Sequence, residues 1–126
     1  LMHPALLGSF TVSPAQGLSF RVLYGTLARL AGADAVVFPN HGGRFAFSPE
    51  DCREIVRGCE APLGGLRTSL PAPAGGMSLA RVPEMRAFYG DDVLLLIGGD
   101  LHRHGDLEGT CRRLRSMVEL SPEVEP

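Results

Sequence analysis

At 126 residues, 44% of them hydrophobic, the chain is no more than one ordinary globular domain. No apolar run approaches the ~18 residues of a membrane span, and a formal charge of −2 gives no electrostatic reason to expect a nucleic-acid partner. All 12 basic residues are arginine, so chemistry that needs a Schiff-base or carbamylated lysine cannot be completed by this chain alone.

In chain order, Leu1-Met2-His3 reads as the end of a strand, closed by Pro4, and Ala5 to Pro14 as a loop. Apolar residues at Leu18, Val22, Leu23, Leu27 and Leu30 have helical spacing, and Gly32 ends that helix. Ala35–Phe38 is a short buried strand, followed by the loop Pro39-Asn40-His41-Gly42-Gly43-Arg44. Ser48-Pro49-Glu50-Asp51 combines an N-cap, a first-turn proline and two acids, and opens a helix to about Cys59. Thr68–Ala74 is a strand running into Gly75-Gly76, and Ser78 caps a helix over Leu79–Phe88. Val93-Leu94-Leu95-Leu96-Ile97 is too short for a helix and reads as a strand buried on both faces, ending on Gly98-Gly99. A last helix spans about Leu107 to Leu120, leaving residues 121–126 as a frayed tail.

The order is strand then helix, four times, in units of about 30 residues. Such a run builds a parallel sheet with right-handed crossovers, either a small doubly wound sheet or half of an eight-stranded barrel. Both architectures bind ligands beyond the carboxyl ends of the strands. His3, Asn40–Arg44, Gly75-Gly76 and Gly98-Gly99 all fall on that rim. Two neighbouring strands that each end in Gly-Gly predict backbone N–H groups presented to one anion, most simply a phosphate.

The motifs Phe38-Pro39-Asn40-His41-Gly42-Gly43-Arg44-Phe45, Pro73-Ala74-Gly75-Gly76-Met77, Arg81-Val82-Pro83-Glu84-Met85 and Leu95-Leu96-Ile97-Gly98-Gly99 together resemble RuBisCO-like proteins, the non-carboxylating relatives of the RuBisCO large subunit. The resemblance runs from His3 to about Met117 and implies strands five to eight of the family's C-terminal (β/α)₈ TIM barrel, a domain over residues 1–120. By position it implies that His3 lies near metal and substrate. Gly43 and Arg44 fall in the mobile loop after strand six, with Asn40 and His41 beside the substrate. Ala74, Gly75 and Gly76 correspond to a Ser-Gly-Gly after strand seven, and Gly98-Gly99 to phosphate-binding glycines after strand eight.

The departures narrow the chemistry. The strand-six histidine of true RuBisCO appears as Val37, the loop lysine as Arg44 and the strand-seven serine as Ala74. Arginine does not replace lysine as a compact charge, so carboxylation of ribulose bisphosphate is not expected. The family's shared chemistry is Mg²⁺-assisted proton abstraction beside a carbonyl. The resemblance therefore implies an isomerase or enolase acting on a phosphorylated ketose or methylthio-sugar. A decarboxylase of a phosphorylated 3-oxo acid and a non-catalytic phosphate-binding half-barrel are the alternatives. The family's Mg²⁺ ligands lie in the other half of the barrel, so this chain is expected to supply none. A homo-oligomer or a complementing half-barrel is the implied protein partner.

Several residues carry plainer expectations. His102, Arg103 and His104 read as a polar surface loop, with Arg103 on the outer side; Arg112, Arg113 and Arg115 as the solvated face of the last helix; and Cys52 and Cys111 as core. Three cysteines without C-x-x-C spacing, and no leader at the first residues, fit a reducing cytoplasm.

Overall fold

A computed structural model describes residues 1–3, 7–11, 13 and 15–119. Helix α1 (Leu7–Thr11) is followed by α2, which winds as a π-helix over Arg21–Leu27 and closes as ordinary α-helix over Ala28–Leu30. Strand β1 (Ala35–Pro39), helix α3 (Pro49–Glu60) and strand β2 (Leu70–Ala74) come next. A 3₁₀ turn over Leu79–Arg81 leads into α4 (Val82–Tyr89), and α5 (Gly99–Arg103) and α6 (Leu107–Glu119) complete the described chain. Pro4 and the tail at 121–126 lie outside the described residues, and so does Leu120.

The sheet runs in chain order. β1 and β2 are parallel, with Ala35 opposite Leu70 and Pro39 opposite Ala74. Met2 bridges to Val36 on one side, through Met2 N–H to Ala35 O at 2.8 Å and Val37 N–H to Met2 O at 2.7 Å. On the other side Leu96 bridges to Ala74. The four expected strand positions are thus present and adjacent, but Val93–Ile97 is held only by that bridge. The reason lies in β2. Leu94 and Leu96 donate to the carbonyls of Pro71 and Pro73 at 2.9 and 3.4 Å. On that same edge the two prolines have no N–H to return, which halves the ladder.

Alternation sorts the two faces. Val36, Phe38, Pro71, Pro73 and Ile97 turn toward the helices, where they join Tyr24, Cys52, Ile55, Cys59, Val82, Met85 and Tyr89 in the core. The opposite face is only partly covered: Leu70, Leu94 and Leu96 are 39%, 41% and 40% exposed. The expectation that Val93–Ile97 is buried on both faces is therefore corrected, since Leu94 and Leu96, on the face it shares with Leu70, stay exposed. This face is the one that lines the interior of a closed barrel. On its own the 126-residue chain is expected to self-associate at micromolar concentration. A single sharp monomer boundary in sedimentation velocity, without binding of an apolar dye, would contradict this.

Helix α2 buries a different stripe from the one its leucines suggest. Tyr24, Gly25, Ala28 and Arg29 are buried, whereas Leu27 and Leu30 are exposed. The i→i+5 winding displaces side chains from the ordinary 3.6-residue face, and Gly25 lets α2 lie directly on Gly58 of α3. Helix α3 begins as read: Ser48 Oγ accepts from Asp51 N–H at 3.1 Å, and Asp51 Oδ2 accepts from Ser48 N–H at 2.9 Å. This capping box stabilises the helix by about 1 kcal/mol. Two smaller corrections follow. Residues 7–11 are helical rather than loop, and Cys111 is exposed on α6 rather than in the core.

Candidate functional site

Beyond the carboxyl ends of β2 and the Val93–Ile97 segment lies a cavity of about 260 Å³, lined by Gly75, Gly76, Met77, Ser78, Leu96, Gly98, Gly99, Asp100 and Arg103. Both Gly-Gly pairs therefore border one space. Gly75 and Gly76 hold φ of +81° and +67°, a left-handed turn that side chains disfavour. Gly98 and Gly99 have ordinary φ, and a Cβ on either would meet nothing within 4 Å. Both glycines are exposed, and a ligand approaching the start of α5 meets no Cβ there.

Three clasps hold this rim in shape, and none was read from the sequence. Arg81 donates to His41 O at 3.3 Å and Gly76 O at 3.3 Å while pairing with Glu84 at 3.1 Å. It thereby ties the loop after β1 to the loop after β2. Gly43 lies against the same turn so closely that a Cβ on Gly76 would come within 2.8 Å of Gly43 Cα. Asp100 Oδ2 accepts from Leu79 N–H at 2.9 Å, joining α5 to the turn before α4. The expected cap from Ser78 is absent, since its side chain makes no capping bond and Asp100 takes that position from across the rim. The i, i+3 pairing of Arg81 with Glu84 was the one sequence signal for these contacts.

The other rim residues are placed elsewhere. Asn40 is buried, accepting from Tyr89 OH at 2.7 Å and directing its amide nitrogen to the sulfurs of Met77 and Met85 at 3.0 Å each. All its polar atoms are used inside the core. His41 is half-buried, its ring 4.6 Å from that of Phe88 and its Nε2 buried without a hydrogen-bond partner. Burial first, then the guanidinium of Arg81, push its pKa below the usual imidazole range. Ala74 carries the bridge to Leu96 and does not line the cavity. Arg44 is exposed, its guanidinium 4.8 Å above the ring of Phe45, and it too does not line the cavity. His3 stands at the far side of the sheet, beyond β1, exposed. Arg103 departs most from expectation: it is exposed, as a surface loop would have it, but it stands at the end of α5 on the edge of the glycine cavity.

Among the described residues no group of three or more His, Cys, Asp or Glu side chains could hold a metal ion. His104 Nε2 lies 3.7 Å from Asp100 Oδ2, which forms a pair and not a ligand cluster. No helix among the described residues is long and apolar enough to cross a membrane.

No family model matches the sequence. Individual proteins do. The chain is 54% identical over 99 residues to 5-methylthioribulose-1-phosphate isomerase of Rhodospirillum rubrum, covering 79% of this chain and 25% of that protein. It is 39% identical over 103 residues to 2,3-diketo-5-methylthiopentyl-1-phosphate enolase of Exiguobacterium sibiricum, covering 81% of this chain and 26% of that protein. A Rubisco-like protein of Rhodopseudomonas palustris superposes with a TM-score of 0.79 at 40% identity, over 98% of this chain and 31% of that one. The chain belongs to the RuBisCO-like proteins. It spans about a quarter of the length of these curated relatives. Its four adjacent parallel segments correspond to a C-terminal part of the RuBisCO-like barrel. The uncovered face of Leu70, Leu94 and Leu96 is thus the barrel interior seen from one half.

Proposed function

We propose that this chain is the phosphate-binding part of a RuBisCO-like isomerase or enolase, acting on a phosphorylated methylthio-ketose without carboxylating ribulose bisphosphate. One observation carries the reading: the two Gly-Gly turns border a single cavity at the strand ends. The names of the relatives fit it, since an isomerase and an enolase with different products share a 1-phosphate on their substrates. A common phosphate site with divergent chemistry elsewhere is what a glycine cradle remote from the reacting carbons would permit.

In this reading the N–H groups of Gly75, Gly76, Gly98 and Gly99 hold the phosphate and so fix the distance from it to the reacting carbons. Arg81 and Asp100 keep the two glycine turns in register. Arg44 and His41 approach the substrate only if the loop after β1 moves, because the observed contacts hold them outside the cavity. The described residues do not fit a Mg²⁺ site. Proton abstraction belongs to groups in the rest of the barrel. The remaining strands come from the rest of a longer polypeptide, a second copy or a complementing half-barrel. Three free cysteines accord with a cytoplasmic setting.

Gly99→Val tests the cradle with little disturbance to the fold, because its Cβ meets nothing and its φ is ordinary. In the complete barrel, calorimetric affinity for inorganic phosphate is expected to fall by roughly 100-fold or more, as several charge-assisted bonds of about 1.5–3 kcal/mol each are blocked. The melting temperature should stay near that of the parent. Unchanged phosphate affinity would remove the glycine turns from the site.

A further inference from the structure

The geometry points to Arg103 as the cation of this cavity, a binding residue that contacts the phosphate group of the substrate. The inference rests on the glycine-cradle reading and goes beyond it in naming the charge that makes the cradle select a dianion.

Among the described residues Arg103 has no ion pair and no hydrogen bond, and it lies at the end of α5 with its side chain in the cavity wall. Most other arginines are engaged. Arg29 is bound to carbonyls, and Arg53, Arg57, Arg81, Arg86, Arg112 and Arg115 each face a carboxylate. Arg44 rests over Phe45. A cation left unpaired beside four glycines is available for an anion that the cradle admits.

The electrostatics of the cavity call for such a charge. Its only other ionisable lining residue is Asp100, whose carboxylate is fixed to the N–H of Leu79 and cannot turn away without releasing that turn. A phosphate entering beside Asp100 meets like-charge repulsion at short range. Arg103 offsets Asp100 and adds planar, paired donors suited to phosphate oxygens. With no lysine in the chain, arginine is also the one side chain here that stays positive at every working pH.

The test uses the complete barrel and inorganic phosphate as probe, with a pentose phosphate as a second ligand. Arg103→Ala is expected to weaken both by roughly 10- to 100-fold, the range of one charge-assisted bond lost. Arg103→Lys should recover part of that loss, and raised ionic strength should weaken binding to the parent more than to Arg103→Ala. Thermal stability should not move, because Arg103 has no partner to lose. If Arg103→Ala binds phosphate like the parent while Gly99→Val does not, the cradle stands and the role of Arg103 is overturned. If neither substitution changes affinity, both the cradle and this inference fail.

Discussion

Replacing Arg29 by alanine is expected to destabilise the fold by about 3–5 kcal/mol, in the range found when one partner of a buried charged contact is removed. Arg29 is only 4% exposed and donates to four backbone carbonyls: Gly58 O at 3.1 Å, Ala61 O at 2.6 Å, Leu66 O at 3.3 Å and Arg67 O at 3.1 Å. The first two are at the end of α3, where carbonyls lack helical partners and the helix dipole is negative. The other two belong to the loop that returns the chain to β2. One guanidinium therefore closes the α3 terminus and fixes the entry to the strand that carries Gly75-Gly76. Alanine would leave these carbonyls to whatever water can reach them. Lysine keeps the charge but concentrates its donors at one point and cannot span four acceptors, so Arg29→Lys should recover less than half of the loss. Denaturant unfolding of the complete barrel measures both variants; a shift under about 1 kcal/mol for Arg29→Ala would mean that water satisfies these carbonyls without cost.

The sequence exposes what depends on local chemistry. The Ser48-Pro49-Glu50-Asp51 start of α3, the run Ala35–Phe38 and the Gly75-Gly76 turn each need a particular residue type at a particular backbone position, and each lies where it was read. Properties set by distant partners are less legible. Arg29 looks like any helix arginine until the 58–67 loop folds over it. Leu27 and Leu30 have core spacing, but the π-wound stretch and the Gly25–Gly58 contact turn another stripe inward. Val93–Ile97 is a fully apolar run because a closed barrel buries both its faces; with half a barrel the run is the same and the burial is not.

The placement of the candidate site residues divides along the same line. Gly75-Gly76 is legible because its left-handed turn needs glycine, whereas at Gly98 and Gly99, with ordinary φ and open space around a Cβ, the fold itself makes no such demand. Arg103 was read as outer loop because His102-Arg103-His104 has the polar composition of a surface segment. Its place at the cavity edge follows from Gly99–Arg103 forming a short helix that begins at the glycine pair and ends on Arg103. Asn40 erred in the opposite direction. A polar residue at a strand end suggests a ligand contact, yet Tyr89, Met77 and Met85 engage both ends of its amide inside the core.

Gly58→Ala is expected to cost about 3 kcal/mol or more, at the upper end of the usual overpacking range. The sign runs against helix propensity, which alone would favour alanine over glycine within a helix by about 0.5–1 kcal/mol. Sterics decide. A Cβ on Gly58 would sit 2.4 Å from Arg21 O and 3.0 Å from Gly25 Cα, and one on Gly25 would sit 2.4 Å from the Cα and carbonyl carbon of Gly58. All of these are backbone atoms, which no rotamer change can remove, so α2 and α3 must move apart. Separation also pulls the Gly58 carbonyl from Arg29, which gives Gly58→Ala and Arg29→Ala a shared term. Their combined effect should fall short of the sum by at least about 0.5 kcal/mol, as for residues in one network. Gly25→Ala and Gly58→Ala should likewise be sub-additive, because the first separation makes room for the second methyl. Strict additivity in denaturant unfolding would mean that the two helices accommodate each methyl locally, and that the close contact of α2 and α3 does not hold the 58–67 loop in place.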